Sequence, residues 1–298
     1  MTTSGMVLLD KPGGVTSHDV VARVRRIIGE RRVGHAGTLD PMATGLLIVA
    51  IGPATRLLRF VQVATKRYRG TVELGIATDS LDADGVVVER AGVPDVDLDA
   101  VRAAAGSLLG AQLQVPPMVS ALKINGRRLH ELARRGLEVD RVAREVVVES
   151  FSVDAGADQH HWDFDVVCST GTYVRVLASE LAHRLGTVGH LSALRRTAIG
   201  SHDVSAALSL EAFETSIADR RPLLPPAAML EGVTTIVVGD GDRQRIVHGQ
   251  QLEVADGVAG DWLAALDQAG ELIAVLARRG DRWQPSVVVT SDLDAPRR

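Results

Sequence analysis

Hydrophobic and polar positions along the chain switch between two periods, and the switches mark the elements. Val7-Leu8-Leu9 reads as a short buried strand that ends in the turn Lys11-Pro12-Gly13-Gly14. Val20, Val21, Val24, Ile27 and Ile28 then fall on one helical face, with Ser17 placed as the N-cap and Gly29 as the stop. Leu46 to Ile51 is a continuous apolar run closed by Gly-Pro, the pattern of a strand buried on both faces. Residues 67–76 alternate as a further strand. Val86-Val87-Val88, Val146-Val147-Val148 and Phe164 to Cys168 add three more, and apolar spacings of three and four predict helices at 97–109, 172–185 and 188–194. Strands and helices are interspersed without a regular βαβ repeat, which predicts a mixed, largely antiparallel α/β domain.

The prolines of Arg221-Pro222-Leu223-Leu224-Pro225-Pro226 stop both helices and ladders and mark a boundary. The expected division is a domain of residues 1–230 followed by a module of residues 231–298. Within the module the pattern predicts strands at 234–238, 251–254, 262–267, 271–277 and 286–290, and a short helix at 242–248.

Composition changes this picture in two places. With 46% hydrophobic and 23% charged residues the chain is an ordinary globular protein. A single cysteine, Cys168, leaves no disulfide framework and no cysteine-based zinc site. No apolar run approaches the roughly 20 residues that span a bilayer, and MTTSGMVLLDKPGG lacks the pattern of a signal peptide, so a cytoplasmic protein is expected. The net charge is −4, yet from Glu231 onward seven arginines stand against eleven acidic residues, so residues 1–230 balance at zero. Their cations are clustered: Arg23, Arg25, Arg26, Arg31 and Arg32 form one group, and Lys123, Arg127, Arg128, Arg134 and Arg135 another. Such clusters can meet phosphates whatever the overall charge, although solvated helix faces have the same composition.

The stretch with most chemistry is Gly34-His35-Ala36-Gly37-Thr38-Leu39-Asp40-Pro41-Met42-Ala43-Thr44-Gly45-Leu46-Leu47. Three glycines, a proline and two threonines before a buried strand describe a tightly packed loop. Pro41 keeps Asp40 out of the α region and so restricts where its carboxylate points; an Asp before Pro is also a common turn former. Other chemistries find no support. Ser80-Leu81-Asp82-Ala83-Asp84-Gly85 hints at a calcium loop, but Ser80 stands at the first ligand position and Ala91 where a bidentate Glu is required. GxxxxGK[ST] and GxSxG are absent, and no GxGxxG follows a strand.

The Asp40 stretch resembles the GxLDxxATG motif of the TruB family of tRNA pseudouridine synthases. Further blocks resemble that family in the same order: Lys11-Pro12-x-Gly14-x-Thr16-Ser17, Lys66-Arg67-Tyr68-Arg69 followed by Asp79-x-x-Asp82-x-Asp84-Gly85, Val115-Pro116-Pro117-Met118-Val119-Ser120-Ala121-Leu122-Lys123, Gly126-Arg127-Arg128-Leu129, Gly171-Thr172-Tyr173-Val174-Arg175 and Leu194-Arg195-Arg196. Together they cover most of residues 7–200.

The resemblance implies a catalytic domain of pseudouridine synthase type that isomerises the uridine at position 55 in the T loop of tRNA, using no cofactor and no metal. It gives Asp40 the role of catalytic carboxylate and Arg175 that of its cationic partner. An ionised Asp beside a cation should have a lowered pKa. By the same resemblance Tyr68 stacks on a flipped base and its hydroxyl serves as general base, Tyr173 and Leu194 close the pocket, and His35 props the flipped nucleotide. Lys11 supports the site through its turn. Residues 118–144, with Arg127 and Arg128, are the expected RNA-gripping insertion. Residues from Thr234 resemble a PUA domain, a small β-rich RNA-binding module. The T-arm of tRNA is the expected partner, with no membrane and no obligatory protein partner. Two other readings use the same residues: an N-glycosidase that releases the base, and an RNA-binding protein without turnover.

Overall fold

The computed structural model describes residues 4–120, 122–124, 126–129, 132, 136–137, 139–218, 223–253 and 258–289. Among them the largest sheet runs in the order β1 (Gly5–Lys11), β3 (Thr44–Ile51), β12 (Gly189–Ile199), β4 (Lys66–Leu74), β11 (His161–Cys168), β10 (Arg144–Ala155), β7 (Gly110–Gln114). β2 (Val33–His35) pairs with β3 and β13 (His202–Asp203) with β12. Every pairing in this sheet is antiparallel except one: β12 meets β3 in parallel, through Arg195↔Thr44 and Arg196↔Gly45. Those two residue pairs are the seam that joins the halves of the sheet. The mixed, largely antiparallel architecture is the one the residue pattern predicts.

The two halves are covered differently. β1 and β3 are enclosed on both faces. On one side they pack against α1 (Ser17–Ile28) and α5 (Leu210–Ala218) through Val20, Val24, Leu47, Val49 and Phe213. On the other, Leu8, Leu46 and Ile48 share a core with Val275, Val287 and Val289. Beyond the seam, β4, β10, β11 and β12 cover one face with α3 (Leu98–Gly106) and α4 (Val174–Arg184), in a core around Val72, Leu74, Trp162, Phe164, Leu177 and Leu191. The opposite face of β4 and β11 carries Arg67, Arg69 and Thr71, bonded to Asp165 and Asp163.

The smaller sheet has the order β14 (Thr234–Val237), β15 (Trp262–Leu266), β16 (Leu272–Arg279), β17 (Arg282–Val288), and α6 (Asp240–Val247) packs against it through Ile246. Of the boundary segment, Arg221 and Pro222 lie outside the described residues; Leu224 exchanges backbone hydrogen bonds with Met6. The expected strand at 251–254 is a single bridge, Leu252↔Trp283, and Val254 lies outside the described residues.

Two local expectations are corrected. The N-cap of α1 is Thr16, whose side chain accepts from the Asp19 amide while Asp19 accepts from the Thr16 amide. This reciprocal box contributes on the order of 1 kcal/mol and leaves Ser17 free for another task. The helix expected at 188–194 is the strand β12. Leu191 and Leu194, three apart, reach the same core because the register slips between Leu191 and Ala193. A bulge adds one residue and reverses the parity of the pleat, so extended chain reproduces a helical spacing.

Candidate active site

Four stretches distant in sequence enclose a cleft of about 280 Å³, at the small end of ligand cavities, which run from about 300 to 1,000 Å³. They are the loop Gly37–Asp40, the Lys66 and Tyr68 positions of β4, residues 170–175 at the start of α4, and Leu194 with Arg196 on β12; Ser120 completes the wall. Asp40, Tyr68, Tyr173, Arg175 and Leu194 are therefore brought together, as the resemblance implies.

The loop holds Asp40 from several directions. Ser17 Oγ accepts from the Leu39 amide at 2.9 Å. Gly14 donates to the Pro41 carbonyl (2.8 Å) and Ala43 to that of Asp40 (3.1 Å). Leu39 and Ala43 are buried in the core beneath. Lys11 is fully buried, and its Nζ donates to the carbonyls of Pro12 (2.8 Å), Val15 (2.7 Å) and Pro41 (3.2 Å). It stands under the loop, not in the cleft. Burial lowers its pKa to about 8, against the pull of Asp40.

Arg175, 3% exposed, grips the Asp40 carboxylate at both oxygens, Nε to Oδ2 at 3.0 Å and Nη2 to Oδ1 at 3.1 Å. Its other donors reach Asp82 Oδ2 (3.3 Å), the Ser80 carbonyl (2.8 Å) and the Val119 carbonyl (2.9 Å). Asp82 is itself buried and accepts from Ser80 Oγ and from the Asp84 amide. Between them Leu81 holds φ 64, a left-handed conformation that costs of order 1 kcal/mol or more for a residue with a Cβ. Residues 79–84 are thus a surface turn that buries Ser80 and the counter-ion Asp82.

The expectation of a lowered Asp40 pKa is corrected. Burial pushes its carboxyl above the usual range, Arg175 opposes this, and Asp82 and Asp84 add to the rise. Arg175 divides its charge between two carboxylates, so it does not outweigh desolvation. Tyr68 faces the loop from β4. Burial raises its phenol pKa, which Arg196 counters, so the resting side chain is the neutral phenol.

His35 sits on β2 beside the loop and is not among the residues lining the cleft. Its Nδ1 is buried without a hydrogen bond, its ring meets His18 edge-on at 5.6 Å, and burial lowers its pKa. Arg127 and Arg128 form the short strand β9, paired with β8 (Lys123–Ile124). Arg134 and Arg135 lie outside the described residues. The start of the insertion touches the site, through the Val119 carbonyl and Ser120.

Sequence reasoning missed Asp82, Arg196, Lys66 and Ser17. All four stand inside the quoted motifs, but nothing in the letters separates buried Arg196, 1% exposed, from Arg195, which pairs with Asp10 at 2.6 Å. Among the described residues no cluster of His, Cys, Asp and Glu is arranged to hold a metal, and no helix is long and apolar enough to cross a membrane.

Comparison with known proteins gives a consistent result. The profile described as "TruB family pseudouridylate synthase (N terminal domain)" matches residues 25–174. A Thermobifida fusca protein named tRNA pseudouridine synthase B is 42% identical over 292 residues, covering 95% of this chain and 98% of that protein. One of the same name from Mycobacterium ulcerans is 42% identical over 291 residues, 96% of this chain and 94% of its own. Among solved structures, the chain resembles a protein in "Structure of H/ACA RNP bound to a substrate RNA containing 2'-deoxyuridine", with a TM-score of 0.72, 23% identity and coverage of 96% and 85%. A second, from "Crystal structure of the archaeal box H/ACA sRNP Nop10-Cbf5 complex", has a TM-score of 0.70 at 24% identity and coverage of 96% and 86%. These two likenesses concern the fold, and they extend over the small C-terminal sheet, in keeping with a PUA-like module.

Proposed function

The chain belongs to the TruB family of pseudouridylate synthases, and on that premise we propose that it converts uridine 55 in the T loop of tRNA to pseudouridine, with Asp40 as the reacting carboxylate. Its relatives' name makes it a tRNA pseudouridine synthase, an isomerase. The observation that carries the finer reading is the Asp40 carboxylate held at both oxygens by a buried guanidinium, across a recessed cleft from Tyr68.

The reaction breaks N1–C1′, turns the base and joins C5 to C1′. Asp40 acts in its ionised form, on the sugar or the base, and Arg175 fixes its two oxygens so that no reorganisation is needed at the moment of reaction. A cleft this recessed takes a base only after it leaves its stack, which costs a few kcal/mol and less in a loop than in a duplex. Tyr68 offers the flipped base an aromatic face, while Tyr173 and Leu194 bound the space around it. Isomerisation is neutral in protons: C5 loses one and N1 gains one. A neutral Tyr68 that gives its proton to N1 and takes the one from C5 ends as it began.

Lys11 and His35 act on the loop from outside the cleft, Lys11 by bonding the Pro41 carbonyl. We assign residues 1–230 to catalysis and 231–298 to a PUA-like module that contacts RNA, with Arg127 and Arg128 of the insertion meeting phosphates. The enzyme works as a single chain in the cytoplasm, without cofactor. Incubation of the purified chain with unmodified tRNA transcript, with pseudouridine mapped by position, tests the whole reading. Free uracil as product would make the chain a glycosidase, and tight binding without product an RNA-binding protein.

A further inference from the structure

A second buried guanidinium stands in the cleft wall, and the reading above gives it no task. Arg196 is 1% exposed. Its Nε donates to the Leu46 carbonyl at 2.7 Å and its Nη2 to the Gly37 carbonyl at 3.1 Å. These carbonyls are the two feet of the Asp40 loop. The backbone of Arg196 pairs with Gly45, where an added Cβ would stand 2.2 Å from the Arg196 carbonyl oxygen. Across the sheet Arg196 pairs with Tyr68, and both side chains face the cleft.

Arg175 and Arg196 differ in what answers their charge. Arg175 meets two carboxylates. Arg196 bonds two backbone carbonyls and the Tyr68 hydroxyl, and no carboxylate among the described residues forms an ion pair with it. A guanidinium taken out of water without a counter-ion is costly, and fixed positive charge in a closed site is the arrangement that stabilises negative charge as it forms. The neighbour that can form such a charge is Tyr68, whose ionised form Arg196 favours, while Cys168 and Asp40 disfavour it. Lys66, on the same wall, turns its Nζ to the carbonyls of Gln62 (2.7 Å) and Ala64 (2.6 Å).

We propose that Arg196 is the positioning residue of Tyr68: it clamps both feet of the Asp40 loop and stabilises the negative charge that Tyr68 holds between giving a proton to N1 and taking one from C5. This rests on the function proposed above. Two measurements test it. The first is single-turnover pseudouridine formation for Arg196→Gln and Arg196→Lys, alone and combined with Tyr68→Phe. Arg196→Gln should slow the reaction on the order of 100-fold, with tRNA affinity within about twofold, and Arg196→Lys should recover much of the loss. In the Tyr68→Phe background Arg196→Gln should add less than about threefold, because interacting residues are not additive. An equal loss in both backgrounds would leave only the loop clamp and overturn the proposal.

The second measurement needs no substrate. The chain has two tyrosines, so Tyr173→Phe protein reports Tyr68 alone as tyrosinate absorbance. Its ionisation should move to higher pH with Arg196→Lys and further with Arg196→Gln, in protein whose circular dichroism stays native. An unmoved titration in natively folded Arg196→Lys protein would overturn the proposal. Wild-type protein that forms no pseudouridine would count against the function, whereas an active enzyme with additive losses counts against Arg196 alone.

Discussion

The cleft and the C-terminal sheet bury different things. Around the cleft, Lys11, Lys66, Asp82, Arg175 and Arg196 are all buried. From Glu231 onward every buried residue among those described is apolar, from Val238 through Leu263, Val275 and Trp283 to Val289. The sheet is held by area, which is non-directional; the cleft is held by charges that must each meet a particular partner. Stability can therefore be redistributed within the module by volume-conserving swaps. At the cleft even a conservative change alters the chemistry.

The sharpest way to break this contrast is Asp40→Asn. Turnover should fall at least on the order of 1,000-fold, because the amide cannot act as nucleophile or base, with tRNA binding kept. The melting temperature should not fall. Folding raises the Asp40 pKa above 3.8, so the ionised carboxyl disfavours the fold once pH rises past the unfolded value, and the penalty vanishes in acid where both states are protonated. A melt clearly below wild type at neutral pH would make Asp40 a structural ion. Next, Tyr68→Phe should slow the chemical step on the order of 100-fold with affinity unchanged, and Tyr68→Ala should also lose roughly 1–3 kcal/mol of binding; a fully active Phe variant would reduce Tyr68 to a stacking surface.

Trp283→Ala probes the other side. It should cost about 3–5 kcal/mol of stability, read by denaturant unfolding, and leave turnover per folded molecule unchanged. Altered turnover in folded protein would couple the module to the chemistry. The smallest effect is electrostatic. Arg127→Ala with Arg128→Ala should flatten the slope of log K against log salt by about one to two units, and Arg243→Ala with Arg245→Ala should flatten it less. The reverse order would move the grip on RNA to the module.

Much of this was legible in the residues. The doubly covered β3 follows from an unbroken apolar run, and the cleft-lining set from motifs quoted in order. What escaped has definite causes. Leu191 and Leu194 imitate a helix because a bulge changes the parity of β12. Ser17 and Thr16 are both good caps, and the Leu39 amide decides which of them caps. The direction of the Asp40 pKa depends on desolvation and on two further carboxylates, which no spacing reveals. Arg195 and Arg196 are told apart only by the side of the strand on which each falls.

The parallel seam has a consequence for how the protein comes into being. The Leu46 carbonyl waits for a guanidinium 150 residues later in the chain. A ribosome adding about 5–20 residues per second needs on the order of ten seconds to supply it. For most of that interval the nascent chain carries its carboxylate loop with neither Arg175 nor Arg196 yet made. Enzymatic competence arrives late in synthesis, with the closing of two residue pairs, and contacts so distant in sequence are the slow ones to form. A refolding experiment that follows activity beside helix signal should show activity returning last, and a chain released before Leu194 is born without a cleft.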